Sequence, residues 1–149
     1  GEALELYTHG HYTTGDIDIK SSRTETLSIL KNMGFSSAGR SNMYSERLDI
    51  LVDWQGESLE EGKEAEKRTL TIQLDEDDPD MQLRLVSMED LIIDRLCAAK
   101  FWQDSDSRMW AENLKEVADS TQSVLDIEYL RKRAKVEDVE DEVSSLIGA

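Results

Sequence analysis

The spacing of apolar and polar residues near the start of the chain predicts two short helices around a strand. Residues 2–8 are helix formers and predict the first helix. Acidic and apolar residues alternate over 16–20, as they do in a strand with one buried face. Ser22 begins a capping box, and the apolar spacing after it predicts a helix that ends near Gly34.

The middle of the chain has the pattern of a strand, a loop and a hairpin. Residues 48–54 predict a second strand, and residues 55–66 predict an acidic loop. Residues 68–74 and 81–86 predict a hairpin whose turn places Pro79 outside the ladder.

Beyond this hairpin the apolar spacing becomes that of helices. Ser87 begins a second capping box, and an apolar helix is expected from it to Trp102. Further helices are expected from about Ser107, from an Asp126 cap, and around residues 139–146. This order of elements predicts an α+β fold, with a small mixed sheet flanked by helices and a C-terminal helical extension.

The length of 149 residues fits a single domain. Within it we expect an α/β core over residues 1–86, with the helices of residues 87–149 packed on that core. A chain of this size buries roughly two-thirds of its unfolded surface, so neither a disulfide nor a structural metal is required for stability.

The charge is strongly negative, because 33 acidic residues outnumber 17 basic ones and leave a net charge of −16. This balance opposes tight, salt-driven binding to nucleic acid, so DNA is not expected as a partner. The acidic residues concentrate in 57–66, 75–80 and 137–142, which we interpret as solvated surface, with an acidic partner-binding tail as the alternative.

Cysteine usage and hydropathy predict a cytoplasmic protein without a membrane anchor. Cys97 is the single cysteine and lies inside an apolar helical pattern, which is typical of a reducing compartment. No apolar run approaches the roughly 18 residues that a membrane span needs, and no signal peptide is visible.

Two aspartates in the first strand are candidates for a metal site. Asp16 and Asp18 are separated by one residue, so they project from one face of a strand while Ile17 and Ile19 face the core. Carboxylates held side by side repel each other unless a cation lies between them. Mg²⁺ combines a few carboxylates with water and phosphate oxygens, and two such ions can clamp the oxygens of a phosphoryl-type transfer. The alternation by itself also fits a strand with a solvated acidic face.

Three segments of the chain resemble parts of the nucleotidyltransferase superfamily. That superfamily is marked by a Gly-Gly or Gly-Ser turn, a D-x-D strand and a third carboxylate on a neighbouring strand. The chain is most similar to the small, uncharacterised prokaryotic branch related to abortive-infection nucleotidyltransferase toxins, over about residues 1–115. The matching segments are Gly1-Glu2-Ala3, Tyr12-Thr13-Thr14-Gly15-Asp16-Ile17-Asp18 and Glu89-Asp90-Leu91-Ile92-Ile93-Asp94-Arg95-Leu96.

The resemblance implies a third carboxylate, and two residues of the second predicted strand qualify. Asp49 and Asp53 both lie on the face opposite Leu48, Ile50 and Val52. Similarity to the small branch favours Asp53, whereas the general superfamily pattern fits Asp49 as well. The resemblance implies that this residue joins Asp16 and Asp18 as a metal ligand and helps to deprotonate the attacking hydroxyl.

The resemblance also implies contacts to the nucleotide from Gly1, Thr14, Arg95 and Lys100. Gly1 would let the backbone approach a triphosphate, and we expect the strand before it to be missing or supplied elsewhere. Arg95 stands where related toxins place a basic residue. Lys100 is five residues further on, about 140° around an ideal helix, so one ligand need not contact both side chains. A structural pair between Asp94 and Arg95 remains the alternative.

Two functions follow from these patterns. The first is a metal-dependent nucleotidyltransferase that uses Mg²⁺ or Mn²⁺ to move a nucleoside monophosphate from a nucleotide triphosphate to an RNA, protein or small-molecule acceptor. The second is a catalytically inactive binding module with the same fold, such as half of a toxin–antitoxin pair. A partner protein or a homodimer is compatible with both.

Overall fold

The protein has a mixed α+β fold, seen in a computed structural model that describes residues 2–121 and 123–148. It divides into two compact units, residues 1–67 and residues 68–149. The hairpin falls within the second unit, and its two strands form a separate two-stranded sheet. Among the described residues, no helix is both long and apolar enough to cross a bilayer.

The first unit combines three helices with four strands, and in the second unit a hairpin precedes four helices. The first unit contains α1 (Glu2–Tyr7), β1 (Asp16–Ile19), α2 (Arg23–Asn32), β2 (Ser36–Ser37), β3 (Asn42–Ser45), β4 (Ile50–Trp54) and α3 (Lys63–Arg68), whose last residue begins the second unit. The second contains β5 (Leu70–Gln73), β6 (Gln82–Leu85), α4 (Met88–Phe101), α5 (Ser105–Ser120), α6 (Ile127–Val136) and α7 (Glu140–Ile147).

A four-stranded mixed sheet organises the first unit in the order β1-β4-β3-β2. β1 runs parallel to β4, and the other neighbours are antiparallel. Ile17 and Met43 both register with Val52, so these apolar side chains share one face. They belong to a core formed by Leu30, Phe35, Met43 and Val52, with Ile17, Ile19, Leu27 and Ile50 packed against it. The alternate residues of β1 and β4 therefore lie on the opposite face.

Several local predictions for the first unit need correction. Ser22 is the N-cap residue of α2 but accepts no capping hydrogen bond. β2 and β3 were not expected, and residues 55–66 are not wholly a loop. α3 forms at their end, where Ala65 is buried and the carboxylate of Glu66 accepts a hydrogen bond from the backbone of Leu59 at 2.6 Å.

The helices of the second unit follow the sequence pattern closely. The Ser87 hydroxyl caps α4 by accepting from the backbone of Asp90 at 3.1 Å, as the capping box predicts. Asp126 caps α6 in the same way, and its hydrogen bonds from the Tyr129 backbone and from Arg68 lower the pKa of its carboxyl. α4 contacts α5, α6 and α7, which explains its many buried residues. Cys97 is half-buried on this helix, and burial raises the pKa of its thiol.

A buried polar network connects α4 with α6. Asp90 is 2% exposed, and its carboxylate accepts hydrogen bonds from the Ser87 and Tyr129 hydroxyls, each at 2.7 Å. Nε of Arg133 lies 3.3 Å from the same carboxylate. Burial, together with the bond to Asp90, raises the pKa of Tyr129, whose ring also lies 3.9 Å from the guanidinium carbon of Arg68. The two hydroxyls and the nearby guanidinium offset part of the cost of burying the Asp90 carboxylate, although Nε of Arg133 makes no hydrogen bond within the described residues.

Candidate functional site

Three carboxylates lie on one face of the first sheet. β1 and β4 are parallel and in register, with Asp18 opposite Asp53 and Asp16 opposite Leu51. Paired residues of neighbouring strands point to the same side of a sheet, and residues two apart on one strand do so as well. Asp16, Asp18 and Asp53 therefore share the face that the apolar core leaves uncovered. Asp18 is exposed, and the other two are half-buried.

Gln55 connects the carboxylates of the two strands. Its side-chain nitrogen donates to Oδ2 of Asp53 at 2.6 Å and reaches Oδ1 of Asp18 at 3.4 Å. Like charges directly opposite each other on neighbouring strands destabilise a sheet. The amide partly relieves this repulsion because it places a neutral hydrogen-bond donor between the two anions.

Thr14 positions the carboxylate of Asp16. Its hydroxyl donates to Oδ1 of Asp16 at 2.7 Å. Its own backbone N–H donates to the side chain of Glu5 at 3.0 Å, which fixes the turn before β1 against α1. Thr14 is thus a direct partner of the carboxylate site. Burial and the nearby charge of Glu5 raise the pKa of Glu2.

The structure distinguishes the two candidates for the third carboxylate. Asp49 precedes β4, in a left-handed backbone conformation with φ of 55°. Its carboxylate accepts a hydrogen bond from the Tyr44 hydroxyl at 2.6 Å, and this bond raises the pKa of Tyr44. Asp53, in contrast, is the register partner of Asp18. The geometry therefore favours Asp53.

A lysine continues the carboxylate face. The ladder between β1 and β4 extends past the strand ends, with backbone bonds from Gln55 to Ile19 and from Ser21 to Gly56, each at 2.9 Å. The first bond keeps the register of β1 with β4 and the second is shifted by one residue, so Lys20 lies at the end of the ladder, two residues after Asp18. Nζ of Lys20 lies 3.5 Å from the highly exposed Glu60, a pairing worth little in solvent. Lys20 is therefore a cation at the end of this face, with an exposed carboxylate as its partner.

The basic residues expected to contact the nucleotide lie in the second unit, where both have acidic partners. Arg95 donates from Nε and Nη2 to Asp94, at 3.0 and 2.5 Å, which is the structural pair held as the alternative. Lys100 donates to the Asp138 carbonyl, and its Nζ lies 3.6 Å from the Glu142 carboxylate. The remaining candidate, Gly1, lies outside the described residues.

The donor set suits a hard divalent cation. Mg²⁺ is commonly bound through one or two carboxylates, with water and substrate phosphates completing its octahedron. Asp18 and Asp53, drawn together by Gln55, supply such a pair, and Asp16 lies on the same face. Within residues 2–121 and 123–148, no group of three or more His, Cys, Asp or Glu side chains could hold a metal by itself. A metal at this face would therefore need further ligands, such as water or a substrate phosphate.

Besides Lys20, two polar residues of this face were not anticipated from the sequence. Asn42 lies on β3 opposite Asp53, and Gln55 follows β4. Gln55 is two residues after Asp53, so the alternation of a strand could have predicted that both lie on the same face. Asn42 could not be found in this way, because its place depends on the antiparallel pairing of β3 with β4.

No protein-family model matches the chain, and no curated protein sequence is significantly similar to it. The functional argument therefore depends on the geometry of the carboxylate face.

Proposed function

We propose that the protein is a metal-dependent nucleotidyltransferase whose site is the carboxylate face of β1 and β4. The observation that supports this most directly is the register of Asp18 with Asp53, with Asp16 on the same face. The resemblance of residues 12–18 to the family D-x-D segment supports the same assignment. The nucleotidyltransferase-like fold itself is part of the proposal.

Each residue of the face has a defined role in the proposed reaction. Asp16, Asp18 and Asp53 would hold Mg²⁺, which when bound neutralises triphosphate charge as a Lewis acid. Lys20 contacts a phosphate oxygen. The acceptor hydroxyl oxygen bonds to the α-phosphorus, and the bond from that phosphorus to the bridging oxygen breaks, so that pyrophosphate leaves. Asp53 accepts the hydroxyl proton, and its bond from Gln55 orients the carboxylate for this transfer.

A second candidate is an inactive binding module that uses the same face. One observation favours it: each of the three carboxylates already has a side-chain partner within the protein. Thr14 donates to Asp16, and Gln55 donates to Asp53 and reaches Asp18. Such a face can be stable without a cation.

Nucleotide binding is expected to raise the thermal stability of the protein only when Mg²⁺ is present. A ligand that binds only the folded state at about 100 times its dissociation constant adds about 2.7 kcal/mol to the free energy of unfolding. Thermal melting with each of the four ribonucleoside triphosphates, with and without Mg²⁺, measures this directly. Pyrophosphate release in the presence of RNA or protein acceptors then separates an enzyme from a binding module.

The matched variants are Lys20→Met and Lys31→Met, which remove the same charge from the first unit. We expect Lys20→Met to weaken binding of Mg²⁺ with nucleotide roughly tenfold, because it removes a charge-assisted contact to phosphate. Lys31 is exposed on α2, and its substitution should leave binding unchanged. Stabilisation by nucleotide that does not need Mg²⁺, or an equal loss in both variants, would reject the proposed site.

A further inference from the structure

The β5–β6 hairpin of the second unit has one apolar face. Its register pairs Leu70 with Leu85 and Ile72 with Leu83. The pairing continues one step further, where the backbone of Leu74 donates to the carbonyl of Met81 at 2.9 Å. Because side chains two apart share a face, six apolar side chains lie on one side of the ribbon. They are Leu70, Ile72, Leu74, Met81, Leu83 and Leu85, and we call this surface the hairpin face.

Three of the six side chains of the hairpin face are exposed to solvent. Leu74 is 58% exposed, Met81 is 50% exposed and Leu70 is 45% exposed, whereas Leu85 is only 6% exposed. An isolated two-stranded hairpin is marginally stable in water, and stability usually comes from packing its apolar face against another element. Exposed apolar surface rimmed by polar residues often marks a protein–protein contact. The tip of this hairpin, at Leu74 and Met81, has that character.

The turn that adjoins this tip is strongly acidic. Residues 75–80 contain five carboxylates and one proline, and all six residues are exposed. The side-chain nitrogen of Gln73 donates to the carbonyls of Asp75 at 2.8 Å and Asp78 at 2.7 Å, which holds the turn in shape. The apolar pair at the tip is thus next to an ordered acidic turn.

We propose that the hairpin face and its acidic turn bind a cationic, amphipathic segment of a partner protein. Apolar side chains of that segment would cover Leu74 and Met81, and its Lys or Arg residues would meet the carboxylates of residues 75–80. The charge of the turn argues against nucleic acid, which is an anion. It also argues against a second copy of this chain, whose net charge is −16 and whose own turn would repel the first. The proposal uses no residue of the carboxylate face, so each can fail without the other.

The test uses the full chain and a labelled synthetic peptide of alternating leucine and lysine, followed by fluorescence anisotropy. A peptide with glutamate in place of lysine should not bind. Two sets of substitutions probe the two parts of the surface. The apolar set is Leu74→Gln with Met81→Gln. The acidic set is Asp75→Asn with Asp77→Asn and Asp78→Asn. The asparagines keep the side-chain acceptors for the backbones of Asp77 and Asp80.

We expect each set to weaken peptide binding roughly tenfold, a loss that both apolar burial and charge complementarity predict. The control set removes the same charge as the acidic set from exposed positions elsewhere, and consists of Glu46→Gln, Glu57→Gln and Glu116→Gln. It should change binding less than about twofold, because distant exposed charges are screened by salt.

Three results would overturn the proposal. One is an equal loss in the control set, which would show attraction to the overall charge. Another is unchanged binding in the leucine and methionine variant, confirmed as folded by its circular dichroism. The third is self-association of the chain, seen by sedimentation, that disappears in that same variant.

Discussion

The double substitution Asp18→Asn with Asp53→Asn is expected to abolish the stabilisation of the protein by Mg²⁺ with a nucleotide. The two carboxylates are register partners that share the Gln55 amide, so removing both charges removes the paired anionic ligands of the proposed site. We expect binding to weaken at least about 100-fold, which corresponds to about 2.7 kcal/mol of lost binding free energy. Without metal, the same variant should be at least as stable as the wild type, because a like-charge pair has been relieved.

The control for this prediction is Glu46→Gln with Glu57→Gln, which changes the net charge equally at two exposed positions. Both variants must be melted at matched, high ionic strength, so that screening of the overall charge does not imitate metal binding. If the double aspartate variant keeps the wild-type response to Mg²⁺ and nucleotide, the carboxylate face is not the binding site. If it is less stable with and without metal, the aspartates have a structural role only.

The second large effect concerns the stability of the helical unit. Arg133→Met is expected to lower the free energy of unfolding by about 3 kcal/mol, because it leaves the buried carboxylate of Asp90 without its cationic partner. This figure is at the lower end for a broken buried pair, since the hydroxyls of Ser87 and Tyr129 still donate to Asp90. Urea unfolding followed by circular dichroism measures the difference, provided that the slope with denaturant is unchanged.

Arg131→Met is the matched control, because Arg131 is exposed on the same helix. It should change stability by less than about 0.5 kcal/mol. Adding Asp90→Asn to Arg133→Met should recover part of the loss, since it removes the uncompensated charge. Equal effects of the two arginine substitutions would show that the contact between Arg133 and Asp90 contributes nothing to stability.

The parts of the structure that could be predicted from the sequence are those with local causes. The alternation around Asp16 and Asp18 depends only on the period of a strand, and β1 forms there with Ile17 and Ile19 packed against the core. The cap at Ser87 depends on a residue three positions away, and α4 begins as expected. The prediction of a loop for the charged segment before the hairpin was wrong in part. Lys, Glu and Ala favour a helix even where the segment looks like a polar loop.

The rest of the site depends on pairings between distant parts of the chain. β2 has only two residues, and β3 has the sequence Asn-Met-Tyr-Ser, in which the apolar residues are adjacent and do not alternate. Asn42 reaches the carboxylate face only through the antiparallel ladder with β4. Asp49 and Asp53 are four residues apart, so both would lie on the same face of a regular strand. The choice between them required knowing that β4 begins after the left-handed residue Asp49. Lys20 gains its candidate role from the extended ladder between β1 and β4.

Paramagnetic broadening of amide signals by Mn²⁺ is the most direct test of the carboxylate site, because it locates the bound cation along the chain. Spectra of the ¹⁵N-labelled protein would be recorded with trace Mn²⁺, with and without ATP. We expect the strongest broadening at Asp16, Asp18 and Asp53. ATP should increase the broadening at these residues relative to the rest of the chain. Broadening centred instead on the acidic runs 57–66, 75–80 or 137–142, with residues 16–18 and 53 unaffected, would contradict the proposed function.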